Sequence, residues 1–209
     1  MSRKDQSLFK PTTLDEVVGI AGYTGPARTV EEMSVAVMRE EHTGSMTGES
    51  QRRMAELHVA SAKRHAQELI SLASTIYPDD WKLEISERLL IVLFECAAHA
   101  YRVTELCGVQ GTALSGADAC RFKGTGIPQL EPLFSNALNL VRHAVSCKVG
   151  WCVHDRPRVF TASNNDVSPM YVTVQTDRHT GSVSVFGLGF VYLTTVRQSI
   201  KRLHPHLKF

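Results

Sequence analysis

The chain has 209 residues, 43% of them hydrophobic and 21% charged, with a formal net charge of +2. That length supports one substantial core and is short for two, and the apolar content is ordinary for a globular protein. A membrane-spanning helix needs roughly 20 apolar residues in a row, and Glu95, His99 and Arg102 interrupt the best stretch on offer. The N-terminus, MSRKDQSLFKPTT, lacks an apolar run after its basic residues, so a secretory signal is not expected. Five irregularly spaced cysteines argue against a disulfide framework and for a reducing, cytoplasmic setting.

The small net charge conceals an asymmetry. Residues 1–120 carry 12 Lys/Arg against 17 Asp/Glu, whereas residues 121–209 carry 11 against 4. Halves of opposite sign attract each other, within one molecule or between two, or the basic half faces an anionic partner.

Residues 1–13 are polar and aperiodic. Thr13 and Glu16 form a capping box ahead of Val17, Val18 and Ile20, and turn chemistry follows at Tyr23–Pro26. A second capping box, Thr29 with Glu32, opens a helix whose stripe is Val30, Met33, Val37 and Met38. Residues 42–50 have linker composition, so residues 1–50 are expected to form an arm. From Gln51 to Ile76 the apolar residues Met54, Leu57, Ala60, Ala62, Leu69, Leu72 and Ala73 recur at helical spacing, and Tyr77–Asp80 ends the pattern.

Ile85–Leu106 is the most apolar stretch and is expected to be the core helix. Leu89, Leu90, Val92, Leu93, Phe94, Cys96, Ala97, Ala100, Tyr101 and Val103 fill a broad arc, with Glu84, Arg88, Glu95, His99 and Arg102 opposite. A glycine-rich loop spans 108–128, and Pro132 opens a further helix carrying Leu133, Phe134, Leu138, Leu140, Val141 and Val145. The period then changes. Lys148–Val153, Arg158–Ala162, Met170–Thr176 and Ser182–Thr194 read as strands, with Gly187 and Gly189 marking a bulge or bend in the last. Val196–Leu203 reads as a short basic terminal helix. The expected fold is α+β: helices over 51–146, an antiparallel meander over 147–195 and a terminal helix over 196–203, in one domain of residues 51–209.

Residues 14–38, LDEVVGIAGYTGPARTVEEMSVAVM, resemble the toxin-docking tail of MazE/AbrB-type bacterial antitoxins. The matching features are Leu14-Asp15-Glu16, Gly22-Tyr23, Gly25-Pro26, Thr29, Glu31-Glu32-Met33 and Ala36, about an eighth of the chain. The resemblance implies an arm docking on a protein through Val17, Val18, Ile20, Tyr23, Met33 and Val37, the partner being a toxin, a second copy of this chain or its own body. Only 13 residues precede Leu14, and residues 51–209 hold nothing like that family's DNA-binding module, so DNA binding by such a module is not implied. The expectation is a non-enzymatic interaction protein of the toxin–antitoxin or mobile-element kind, without a cofactor.

Two alternatives rest on other residues. Arg142, Arg156, Arg158, Arg178, Arg197, Lys201 and Arg202 make the C-terminal half basic, and Trp151, Phe160, Tyr171, Phe186, Phe190 and Tyr192 would offer stacking platforms on a sheet for nucleic acid. The second alternative is a small enzyme with a dispersed site around Glu95 and His99, which stand i, i+4 on the core helix. Their stripe, with its alternating signs, otherwise reads as a solvated, salt-bridged face. Among Cys107, Cys120, Cys147, Cys152, His143 and His154, Cys147 and Cys152 stand at the edge of the spacing of structural zinc ligands, Cys152 and His154 would share one side of a strand, and Cys107 and Cys120 are not a pair, so the cysteines read as small buried thiols. Arg121–Gly126 reads as a surface loop, because neither a phosphate-loop nor a dinucleotide spacing is met.

Overall fold

Small residues at alternating spacings of three and four decide how the two long helices meet. The computed structural model describes residues 48–109, 113–123, 126–154, 159–160 and 162–208. The expected arm, with Val17, Val18, Ile20, Tyr23, Met33 and Val37, lies outside these described residues. In α1 (Glu49–Ser74) the buried stripe is Ala55, Val59, Ala62, Ala66, Leu69 and Ala73. In α2 (Lys82–Leu106) it is Leu89, Val92, Leu93, Cys96, Ala97, Ala100 and Val103. Alanines on both stripes bring the backbones close, and this pairing is the most extensive helix–helix contact in the fold. Phe94, expected in the buried arc of α2, is instead 40% exposed at its edge.

The chain leaves α1 at Thr75, whose extended backbone breaks the helix while its Oγ1 donates to the Ser71 carbonyl at 2.7 Å. A two-residue strand, β1 (Tyr77–Pro78), and one 3₁₀ turn (Asp79–Trp81) lead into α2. After the glycine-rich loop come α3 (Phe134–Arg142), β2 (Ser146–His154), β3 (Asp166–Gln175) and β4 (Thr180–Ser184). β3 is central: β2 pairs along one edge, β1 and β4 along the other, all antiparallel. Pro169 in β3 faces Trp151, where the register with β2 shifts, as expected where proline cannot donate to the ladder. Val172, Val174 and Val183 join the sheet to the helical core. The α+β class, the small antiparallel sheet and the β3–β4 hairpin agree with the sequence expectation.

Two strand expectations are corrected. The alternating run Ser182–Thr194 leaves the sheet at Ser184, whose Oγ accepts the Gly187 amide hydrogen at 3.0 Å and so caps a helix. From there α4 (Val185–Val191), a π-helical stretch (Tyr192–Val196) and α5 (Arg197–Leu203) follow without a break. The sheet therefore ends at Ser184 rather than 195, and the terminal helical segment begins at Val185 rather than 196. The composition favours strand, but Val185, Leu188, Tyr192, Val196 and Ile200 also repeat at helical spacing, and every one is buried. Gly187 and Gly189 are contact sites, not a bulge: a Cβ on Gly187 would stand 2.2 Å from the Ala117 carbonyl oxygen, and one on Gly189 2.7 Å from that of Ala66 in α1. In the second correction, Val159 and Phe160, expected in a strand, lie in a loop whose amides donate to the wholly buried carboxylate of Asp166.

Candidate metal centre

α1 carries His58 and His65 seven residues apart, about two helical turns, so both project from one side. α2 carries Glu95 and His99 one turn apart. The close approach of the two helices brings these four side chains to one seam. One ligand atom each from His65, Glu95 and His99 lie within 4.8 Å of one another. His99 uses its two ring nitrogens differently: Nε2 stands 3.5 Å from Glu95 Oε2, and Nδ1 stands 2.8 Å from Nδ1 of His58. The His65 and His99 rings stack with centroids 5.7 Å apart.

Burial dominates the electrostatics. Loss of hydration pushes His58, His65 and His99 below the ordinary histidine value of 6.5, and neighbouring cationic groups add to it, His99 and then Arg102 at His58, Arg64 at His65, and His65 and then Arg64 at His99. The Glu95 carboxylate opposes the shift at His65 and His99 without overcoming it. At neutral pH the imidazoles are therefore uncharged, and each has one bare nitrogen lone pair. His65 is 9% exposed, its Nδ1 is buried with no hydrogen-bond partner, and its Nε2 meets only Arg64 Nη2, at a long 3.4 Å. An unsatisfied buried polar atom costs about 1–3 kcal/mol.

Two neutral imidazoles and one carboxylate are the donors a borderline-soft divalent cation takes. In a tetrahedral site with bonds of about 2.0–2.1 Å, ligand atoms stand about 3.4 Å apart. Glu95 and His99 already meet that spacing. The third ligand, His65, has a ligand atom within 4.8 Å of theirs. The set can thus hold an ion, polarise what binds to it and tie α1 to α2.

The polar stripe of α2 is the exposed, ion-paired face expected from its alternating signs, apart from His99, which is partly buried against α1. α1 lies along it: Arg88 bonds Glu68 of α1, and His99 meets both histidines, while Arg102 bonds Glu105 on the solvent side. Of the two residues expected from sequence, Glu95 and His99 are together. His58 and His65 were not expected, and the only sequence signal for them is their two-turn spacing on a helix long enough to pair with α2.

The other expected sites scatter. Among the described residues Cys107, Cys120, Cys147, Cys152, His143 and His154 do not gather with metal-ligand distances. Burial pushes the Cys107 thiol up to about 11, and His154 Nε2 bonds Ser168 Oγ at 3.0 Å. Of the basic set, Arg142 lies 3.4 Å over the Tyr101 ring, Arg178 is in the β3–β4 turn, and Arg197, Lys201 and Arg202 are on α5. Arg156 and Arg158 lie outside the described residues. Phe186, Phe190 and Tyr192 sit on the terminal helical segment rather than on a sheet, and Tyr192 is wholly buried with its hydroxyl donating to the Val59 carbonyl. The expected sheet platform for stacked bases loses those three members.

No family model matches the chain, and no curated protein or solved structure gives a significant match.

Proposed function

We propose that this protein binds a divalent transition-metal ion of the zinc type in the seam between α1 and α2, with His65, Glu95 and His99 as ligands. The observation that carries the reading is His65: a buried imidazole with an unpartnered Nδ1, grouped with a second neutral imidazole and a carboxylate. Neutral imidazoles need shed no proton to bind a metal at pH 7, which removes one cost of binding. Calorimetric titration of Zn²⁺ into the chelator-stripped full chain tests it. One ion per chain is expected, with affinity in His65→Ala and His99→Ala falling by more than the roughly 10–100-fold that a lost supporting hydrogen bond costs. Equal affinity in wild type and in the His65→Ala/His99→Ala double variant would overturn the reading.

A second reading is an interaction or regulatory protein of the antitoxin or mobile-element kind, docking through Val17, Val18, Ile20, Tyr23, Met33 and Val37. What favours it among the described residues is apolar surface on one side of α2, where Leu83 is 68% and Ile91 57% exposed beside Phe94. Affinity capture with the full chain and with residues 1–48 deleted separates the outcomes. A partner lost on deletion supports the arm; identical partners from both, or nucleic acid alone, count against it. Nucleic-acid binding through Arg142, Arg178, Arg197, Lys201 and Arg202 would instead weaken steeply with salt.

A further inference from the structure

His58 decides what kind of centre the seam holds. It is the fourth polar side chain there, and two arrangements use it differently. As a fourth ligand it would close the coordination shell, as in a structural zinc site. As a hydrogen-bond partner it would leave three protein ligands and one open position. The geometry favours the second. The group whose ligand atoms converge is His65, Glu95 and His99, and His58 is not in it. His99 directs Nε2 toward Glu95 and Nδ1 toward His58 Nδ1, so it cannot turn the same nitrogen to both.

Taking the metal reading above as its basis, we infer that the centre is open: His58 is a positioning residue for His99, and the fourth coordination position takes an exogenous water or small oxyanion. The hydrogen positions follow from the ligation. A metal on His99 Nε2 needs that nitrogen bare, so the ring hydrogen sits on Nδ1 and donates to His58 Nδ1 across 2.8 Å. His58 then carries its own hydrogen on Nε2. This linkage fixes the His99 ring plane and raises the basicity of its ligating nitrogen. The half-exposed Glu95 gives the seam a solvent-accessible side, and Arg64 brings positive charge to it. That charge favours an anionic oxygen ligand over a neutral one.

The test loads the full chain with Co²⁺, whose ligand-field bands report the number and kind of ligands. The wild type should show bands that sodium azide shifts saturably. His58→Leu should keep the same bands while Co²⁺ affinity falls about 10–100-fold. His58→Asn, whose amide oxygen takes the place of Nδ1 as acceptor, should restore most of that affinity. Bands altered in His58→Leu and silent to azide in wild type would make His58 the fourth ligand and overturn the inference. Unaltered affinity in His58→Leu, or bands that azide leaves unmoved, would also overturn it while leaving the metal reading intact. Absence of Co²⁺ bands in wild type would overturn the metal reading itself.

Discussion

At the scale of single residues, burial sets the chemistry. In the metal-free protein the three seam histidines hold protons less readily than in the unfolded chain. The unfolded state therefore binds more protons as pH falls through 6.5, so stability is full above that value and is lost as pH drops toward the depressed folded values. Urea melts of stripped protein should give a midpoint that falls between about pH 7.5 and about pH 5. Zinc should hold the midpoint up at the higher pH. A midpoint that rises on acidification would contradict the burial argument. The same physics governs the thiols: burial pushes Cys96 up to about 12 and Cys107 up to about 11. Neither forms thiolate at neutral pH, so a thiol–disulfide reagent should titrate fewer than five thiols in native protein and all five after unfolding. Asp166 is a different case. Its wholly buried carboxylate takes hydrogen bonds from the Val159 and Phe160 amides and from Ser163 Oγ, so Asp166→Ala should cost about 1–3 kcal/mol or more in denaturant unfolding.

At the scale of elements, the junction after β4 is the most sensitive place. Ser184 caps α4 through Gly187 and also donates to the Ala119 carbonyl, so Ser184→Ala should cost about 1 kcal/mol for the cap and more for the orphaned carbonyl. Gly187→Ala sets two rules against each other. Helix propensity alone favours alanine by about 1 kcal/mol. The Ala117 carbonyl oxygen, 2.2 Å from where the new methyl would stand, is backbone and cannot swing aside. Overpacking of about 1–3 kcal/mol or more should win, giving a lower Tm. A stabilised Gly187→Ala protein would mean that the loop at Ala117 yields more readily than its contacts suggest.

At the scale of the whole molecule, the proposed ion would join two helices that are sequence neighbours, connected through β1 and a 3₁₀ turn. Metal at about 100 times its Kd adds about 2.7 kcal/mol. At roughly 2–4 °C per kcal/mol for a chain of this size, Tm should rise by roughly 5–11 °C on saturation with Zn²⁺, and the rise should vanish in His65→Ala/His99→Ala. No helix among the described residues is long and apolar enough to cross a membrane. The exposed row Leu83, Ile91 and Phe94 belongs to the same scale, since it marks where α2 lacks a neighbour among the described residues.

The sequence by itself determined the α+β class, both long helices to within a few residues and the β3–β4 hairpin, because apolar periodicity and turn residues act locally. It also pointed to Glu95 and His99, since i, i+4 neighbours on one helix need no partner element to meet. Tertiary structure decided the rest. Whether Val185–Val191 is strand or helix depended on what Gly187 and Gly189 could press against, which is the Ala117 and Ala66 backbone far away in sequence. Likewise His58 and His65 gain meaning only when small residues let α1 lie along α2, since a ligand set is made of distances and periodicity carries none between helices.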